Sequence, residues 1–250
     1  MGNEAQKSAP KADIESFDGF LEDIFGLNMK EVKTLWTSIR RPKDYYQAAW
    51  IQDWGEKFTP SFRLWFTLIA LTFFFQFFWA SNDSPLVQLF AQLLGNVVDA
   101  GGVSLPEDVT TKAASAKFIR WYFGFIPVCS TIFLLLFSGI YRAWNRKTPY
   151  VVRQRNVFAT IIPSTFIGLF LMMFNKFISP EHLVTFSSMT GVIVVSIDCL
   201  TAYRGAFPHT SIWGRLWRAI VLSVSILTVT TLAAVTANLL TMISLVIYYG

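Results

Sequence analysis

The side chains that could carry out chemistry are few in this sequence and lie far apart. The two histidines, His182 and His209, fall in different predicted loops, on opposite sides of the predicted membrane spans. They therefore cannot share a metal ion, and the sequence has no Gly-rich phosphate loop, HExxH motif or GxSxG motif. Cys129 and Cys199 lie in apolar stretches and are predicted to be buried free thiols. We expect no catalytic residue, no cofactor and no metal, and we expect that the protein is not an enzyme.

One acidic residue, Asp198, lies well inside a predicted span. A carboxylate in hydrocarbon is costly, so Asp198 is either a proton or ion site or a structural acid near the membrane interface. In the structural interpretation it pairs with a base such as Arg142 or Arg218, or forms a hydrogen bond to a neighbouring helix. Because the acid is single, the pattern favours the structural interpretation. With Asn238 and Gln76, Asp198 forms a candidate intramembrane polar site.

The elements that position these residues are predicted to be transmembrane helices. Of the 250 residues, 53% are hydrophobic and only 15% are charged, which is typical of a polytopic membrane protein. The predicted fold class is all-α, with a five-span domain over residues 62–250 and spans at about 62–80, 118–141, 156–178, 183–203 and 216–247. Small residues in the last two spans predict close helix packing. Residues 86–97 form an amphipathic run that is too short to cross and should lie on the far membrane surface.

The region before the spans is predicted to contain amphipathic helices at the cytoplasmic membrane surface. Residues 1–13 are polar and predicted to be disordered, and residues 14–61 hold an acidic helix, a basic helix that Pro42 ends, and an aromatic helix. The rings of the aromatic helix, including Tyr45 and Tyr46, can sit at headgroup level. Packing of these helices on the ends of the spans is the alternative to lipid contact. The candidate lipid or partner surface comprises Lys30, Lys33, Trp36, Arg40, Arg41, Lys43, Trp50 and Trp54.

The distribution of basic residues predicts an orientation. The segments expected on one side carry 17 of the 21 Lys and Arg residues, and those on the other side carry 4. Because cytoplasmic loops are enriched in Lys and Arg, the N-terminus is predicted to be cytoplasmic and the C-terminus periplasmic, in a bacterial inner membrane. The net charge of +5 is therefore attributed to topology, and no nucleic-acid partner is expected.

Three short motifs carry a resemblance to a known superfamily. They are Arg41-Pro42, the segment at residues 58–63 (FTPSFR), and residues 153–159 (RQRNVFA), which lead to Pro163. Over about residues 14–235 the chain resembles the Yip superfamily of small five-span membrane proteins, and more closely an uncharacterised bacterial inner-membrane family. The resemblance implies the five-span architecture. Eukaryotic Yip relatives are tied to trafficking and membrane shaping, whereas the bacterial members have no agreed biochemical role.

Two functional hypotheses follow. The first is a non-catalytic inner-membrane protein, a scaffold or accessory subunit, that organises membrane or partner proteins. Its partners would be membrane lipids, anionic lipids among them, and a membrane protein or a second copy of the chain. The alternative is a small transporter or lipid-handling permease that uses Asp198. An odd number of spans and no internal repeat count against the alternative.

Overall fold

The protein is all-helical over the residues that the structure, a computed structural model, describes: 29–49, 54–79, 81, 83–100, 106–143, 147–207 and 210–249. In these ranges there is no strand, which confirms the predicted all-α class. The predicted N-terminal tail, the acidic helix and Trp50 lie outside the described residues. The α-helices are α1 Met29–Arg40, α2 Pro42–Ala48, α3 Trp54–Lys57, α4 Ser61–Trp79, α5 Pro85–Asp99, α6 Thr111–Ile140, α7 Tyr150–Met172, α8 Pro180–Gly205 and α9 Ile212–Tyr249.

Four helical segments are long and apolar enough to cross a membrane: Thr111–Gly139, Tyr150–Phe177, Pro180–Gly205 and Ile212–Tyr249. They indicate a multi-pass membrane protein. The segment Tyr150–Phe177 joins α7 to a 3-10 turn at Met173–Phe177. The helix predicted as the first span is α4, and the part of it whose side chains the structure describes, Ser61–Phe75, is an apolar helix of fewer than 18 residues. That the chain crosses the membrane five times therefore stays a prediction.

The spanning helices begin earlier than the hydropathy pattern predicts. Helix α6 starts at Thr111 rather than near Phe118, because the Thr110 side chain accepts a hydrogen bond from the Ala113 amide at 3.2 Å and caps the first turn. Helix α7 starts at Tyr150, so the basic residues before the predicted span belong to its first turns. Hydropathy detects the apolar part of a helix, whereas its polar first turns extend into the interface.

The bundle is built around α7, which packs on α4, α6 and α8, while α9 packs along α6 and α8. Small side chains allow one close contact: Ala233 and Ala237 of α9 are fully buried against Cys129 of α6. The predicted packing role of small residues in the last span is confirmed there. Ser187 and Gly191 of α8 were predicted to pack in the same way, but both are exposed in the described structure.

One end of the bundle gathers α5, the start of α6 and the end of α9. The predicted amphipathic run forms α5, which buries Val87 against Ile119 of α6. Lys112 forms an ion pair with Asp83 at 2.8 Å, and this pair holds the pKa of the exposed Asp83 carboxyl below its usual value. Lys117 lies 2.9 Å from the centre of the Tyr248 ring. These contacts place the last turn of α9 beside the first turns of α6.

Candidate functional site

The N-terminal helices α1 and α2 are docked on the opposite end of the bundle, where α7 begins and α8 ends. Arg204 of α8 donates hydrogen bonds to the carbonyl of Arg40 at 2.8 Å and to that of Ile39 at 3.4 Å. Arg155 of α7 donates to the carbonyl of Ala49 at 3.0 Å. The last carbonyls of a helix have no partner within it, so these two arginines satisfy groups that would otherwise need water. The docking is therefore specific to the ends of α1 and α2.

The two tyrosines of α2 are buried in the protein, so of the two alternatives for their rings, headgroup contact and packing on the ends of the spans, the structure shows packing. Tyr45 is fully buried and donates to the Thr59 carbonyl at 3.0 Å. Tyr46 is hydrogen-bonded to the Thr160 hydroxyl, and its ring lies directly against Gly205. A glycine here leaves room for the ring, since any side chain would occupy the same space. The amphipathic pattern of α2 reflects packing on protein rather than on lipid.

Burial raises the pKa of the Tyr46 hydroxyl well above its ordinary value. Tyr141 and Asp198 raise this pKa further, and the hydrogen bond with Thr160 opposes the shift. Ionising the phenol would place a negative charge in a dry site near a carboxyl group. Tyr46 therefore stays protonated at physiological pH and keeps its hydrogen bond with α7.

Helix α1 is docked through its polar side. Glu31, Thr34 and Ser38 are buried, and the Glu31 carboxylate lies 3.2 Å from the Arg63 guanidinium of α4. The Thr34 hydroxyl accepts from the Thr59 amide at 2.9 Å, just before α4 begins. Buried polar groups must find partners, and Glu31 and Thr34 find them at the start of α4. The Ser38 hydroxyl instead donates to the Leu35 carbonyl of its own helix at 2.8 Å.

The opposite face of α1 exposes large apolar side chains. Met29 is 45% exposed, Val32 is 40% exposed and Trp36 is 59% exposed, and helical spacing puts all three on one face. Lys33 is also exposed on α1. We call Met29, Val32, Lys33 and Trp36 the outer face of α1. An apolar face rimmed by a base, and turned away from the protein, is typical of a helix at a membrane surface.

The other residues of the predicted lipid or partner surface are placed as follows. Arg40, Arg41 and Lys43 are exposed at the junction of α1 and α2. Lys30 is half-buried and donates to the Gly55 carbonyl of α3. Trp54 begins α3, but its side chain, like Trp50, lies outside the described residues. The described part of the predicted set is thus brought together around α1, except that Lys30 is used in packing.

A cavity of about 370 Å³ lies among α4, α6, α7, α8 and α9. This volume is within the range of small-molecule sites in proteins. Its walls are mostly apolar, and four of the lining side chains are aromatic: Trp65, Phe73, Tyr122 and Phe123. The sequence gives no sign of this cavity, because aromatic residues at helical spacing are usually packing residues.

Asp198 of α8 is the acidic side chain in the cavity wall, and it is only 3% exposed. Its Oδ1 atom has no hydrogen-bond partner among the described residues, and no ion pair to Arg142 or Arg218 is formed there. Ser164 of α7 lies beside the carboxyl group, but its hydroxyl donates to the Ile161 carbonyl at 2.9 Å. The predicted ion pair between Asp198 and a basic residue is therefore not formed in the described structure. The contact of Asp198 with a neighbouring helix is limited to Ser164 of α7 and leaves Oδ1 without a partner among the described residues.

The two other predicted polar residues are not brought to Asp198 in the described structure. Asn238 is exposed on α9, eight residues and therefore ~12 Å of helix rise beyond Thr230, which lines the cavity. Gln76 lies in α4, and its side chain is outside the described residues. Of the three residues predicted to form an intramembrane polar site, Asp198 is the one that the described structure places in the cavity wall.

The described residues contain no group of three or more His, Cys, Asp or Glu side chains that could hold a metal ion. Cys129 and Cys199 are free thiols, and Cys129 is buried as predicted. No family model, curated protein or solved structure matches this chain. The resemblance to the Yip superfamily therefore stays a prediction.

Proposed function

We propose that this chain is a non-catalytic protein of the bacterial inner membrane that organises anionic lipid, or a partner protein, at the cytoplasmic surface. The observation that supports this role is the outer face of α1. Exposed Met29, Val32 and Trp36 would be unfavourable in water and favourable at the boundary between headgroups and acyl chains. Because α1 is fixed by its polar side, the apolar face stays turned away from the bundle.

Exposed bases on α1 and at its junction with α2 supply the attraction to anionic lipid. Lys33, Arg41 and Lys43 are all exposed, and each base near an anionic leaflet contributes ~1 kcal/mol at low salt. The Yip-like architecture, in which five spans follow a basic amphipathic region, fits the same role. A homo-oligomer or a membrane-protein partner would extend this surface.

The lipid contact is tested on the purified full-length chain. Replacing Lys33, Arg41 and Lys43 together by glutamine should remove most of the anionic lipid that co-purifies in mild detergent at low salt. Native mass spectrometry counts the retained lipids. The matched control replaces Arg120 and Lys176, exposed bases of the opposite end, and should retain the wild-type amount. Equal loss in both variants, or no loss in the first, would contradict the proposed surface.

The proposed orientation has a cytoplasmic N-terminus and a periplasmic C-terminus, and α4 is its first span. Its support is the excess of Lys and Arg on one side, together with the docking of α1 and α2 at that end. A reporter that is active only in the cytoplasm should be silent when fused after Gly250 and active when inserted between residues 143 and 147. The reverse pattern of reporter activity would show that the chain has the opposite orientation.

A small transporter or lipid-handling permease that uses Asp198 is the second candidate function. The observation that favours it is the cavity among the helices with one buried acid in its wall. Transport would need the cavity to open on each side of the membrane in turn. The surface role requires no such change and uses more of the described contacts, so it is placed first.

A further inference from the structure

The cavity among α4, α6, α7, α8 and α9 combines one buried acid with aromatic walls. We propose that it is a binding site for a small organic cation, an ammonium ion that carries an apolar substituent. The inference goes beyond the surface role and names a ligand class for the second candidate function, whose cavity it shares. It requires binding only and does not require transport.

The acid supplies the charge that a cation would complement. Asp198 is almost fully buried, and its Oδ1 atom lacks a hydrogen-bond partner among the described residues. A buried carboxylate without a partner is costly, and proteins avoid that cost either by protonating the group or by pairing it with a cation. A bound ammonium group beside Oδ1 would stabilise the ionised form.

Two hydroxyl groups of the cavity wall are used within their own helices. Thr72 donates to the Leu68 carbonyl at 3.1 Å, and Thr230 donates to the Ile226 carbonyl at 3.0 Å. Ser164 lies beside the Asp198 carboxyl group, and Oδ1 still has no hydrogen-bond partner among the described residues. A cation in the cavity would complement this oxygen atom.

The walls supply the rest of the recognition. Trp65, Phe73, Tyr122 and Phe123 come from α4 and α6 and face the same space as Asp198 of α8. The faces of aromatic rings attract cations, most strongly where water is excluded, and they also cover an apolar substituent. Aromatic rings with a single acid favour a monovalent organic cation over a hydrated metal ion, which would need several oxygen ligands.

The probe is benzylammonium, whose N–H groups can donate to Oδ1, titrated calorimetrically into the full-length protein in detergent. Its neutral carbon isostere, ethylbenzene, has the same shape without the charge. We expect the cation to bind the wild-type protein, and we expect Asp198→Asn to weaken that binding at least tenfold while binding of the isostere is unchanged. Asp108→Asn, an exposed acid outside the cavity, should bind like the wild type.

A second variant decides the matter if Asp198→Asn does not fold. Gly168→Leu fills the cavity from α7 without altering Asp198, since a Cβ at Gly168 meets only Val194, at 3.4 Å. This variant should lose the cation. No binding by the wild type, equal binding by Asp198→Asn or Gly168→Leu, or isostere binding as tight as the cation would overturn the proposal. These results are separate from lipid retention by the outer face of α1, which would stand unchanged.

Discussion

Replacing Gly205 with valine is expected to loosen the N-terminal helices from the bundle. A Cβ atom at this position would lie 2.7 Å from Cε2 of Tyr46 and 3.2 Å from the backbone of Pro42, closer than side chains approach in folded proteins. The Tyr46 ring cannot move aside freely, because it is buried and hydrogen-bonded to Thr160. Overpacking of this kind costs about 1–3 kcal/mol or more, and here the cost falls on the contact between α2 and α8.

The measurement is hydrogen exchange of the backbone amides of α2, followed by mass spectrometry in detergent. In Gly205→Val these amides should exchange faster, while those of α9 should keep their protection. Gly191→Val is the matched control, because Gly191 is in the same helix and a Cβ there has no atom within 4 Å. Unchanged exchange of α2 in the Gly205 variant would show that Tyr46 does not hold α2 against α8.

Phe158→Ala is expected to destabilise the whole bundle by about 3–5 kcal/mol, the range for removing a buried aromatic ring. Phe158 is fully buried in α7, with its ring centre 4.9 Å from that of Phe62 and 5.1 Å from that of Trp65. These contacts attach α4, the proposed first span, to the rest of the bundle. Losing them leaves a cavity between α4 and α7.

Thermal unfolding in detergent measures this loss. Phe170→Ala is the control on the same helix, since Phe170 is 57% exposed and its loss opens no internal cavity. We expect a large drop in the unfolding midpoint for Phe158→Ala and a small one for Phe170→Ala. Similar drops for both variants would mean that α4 is not held through Phe158.

Four of the predicted spans coincide with long apolar helices, because a membrane imposes a length and a composition on each crossing helix. The ends of these helices were less predictable. Helix α6 begins at Thr111 because Thr110 caps it, and a hydropathy pattern does not detect the polar first turn that follows. The burial of Ala233 and Ala237 followed from their size. Local properties of the chain were therefore sufficient to predict the helices and part of the contacts between them.

The orientation of α1 was not predictable from its own residues. The apolar residues Met29, Val32 and Trp36 point outward, because the buried Glu31 and Thr34 find partners at the start of α4. Those partners are distant in sequence, so no local pattern reveals them. The structure has a helix at Met29–Arg40, where the sequence pattern predicted one, but that pattern gave no information on which face would be buried.

Of the candidate site, only the acidic residue could be predicted from the sequence. A charged residue inside an apolar span stands out in any sequence, so Asp198 was found. The cavity and its aromatic wall depend on how five helices meet, which no single stretch encodes. The sequence likewise could not show which polar residues come together: Asn238 also stands out in an apolar span, but it lies exposed on α9, away from Asp198.

The depth of α1 in the bilayer is the most direct test that its outer face contacts lipid. A nitroxide label at Val32→Cys is compared with one at Gln47→Cys, an exposed site on α2, after Cys129 and Cys199 are replaced by alanine. In bilayers with anionic lipid, the label at position 32 should be relaxed more by oxygen than by a water-soluble nickel complex. The label at position 47 should show the reverse. Greater relaxation by the nickel complex at position 32 would contradict the account, because the outer face of α1 would then lie in water.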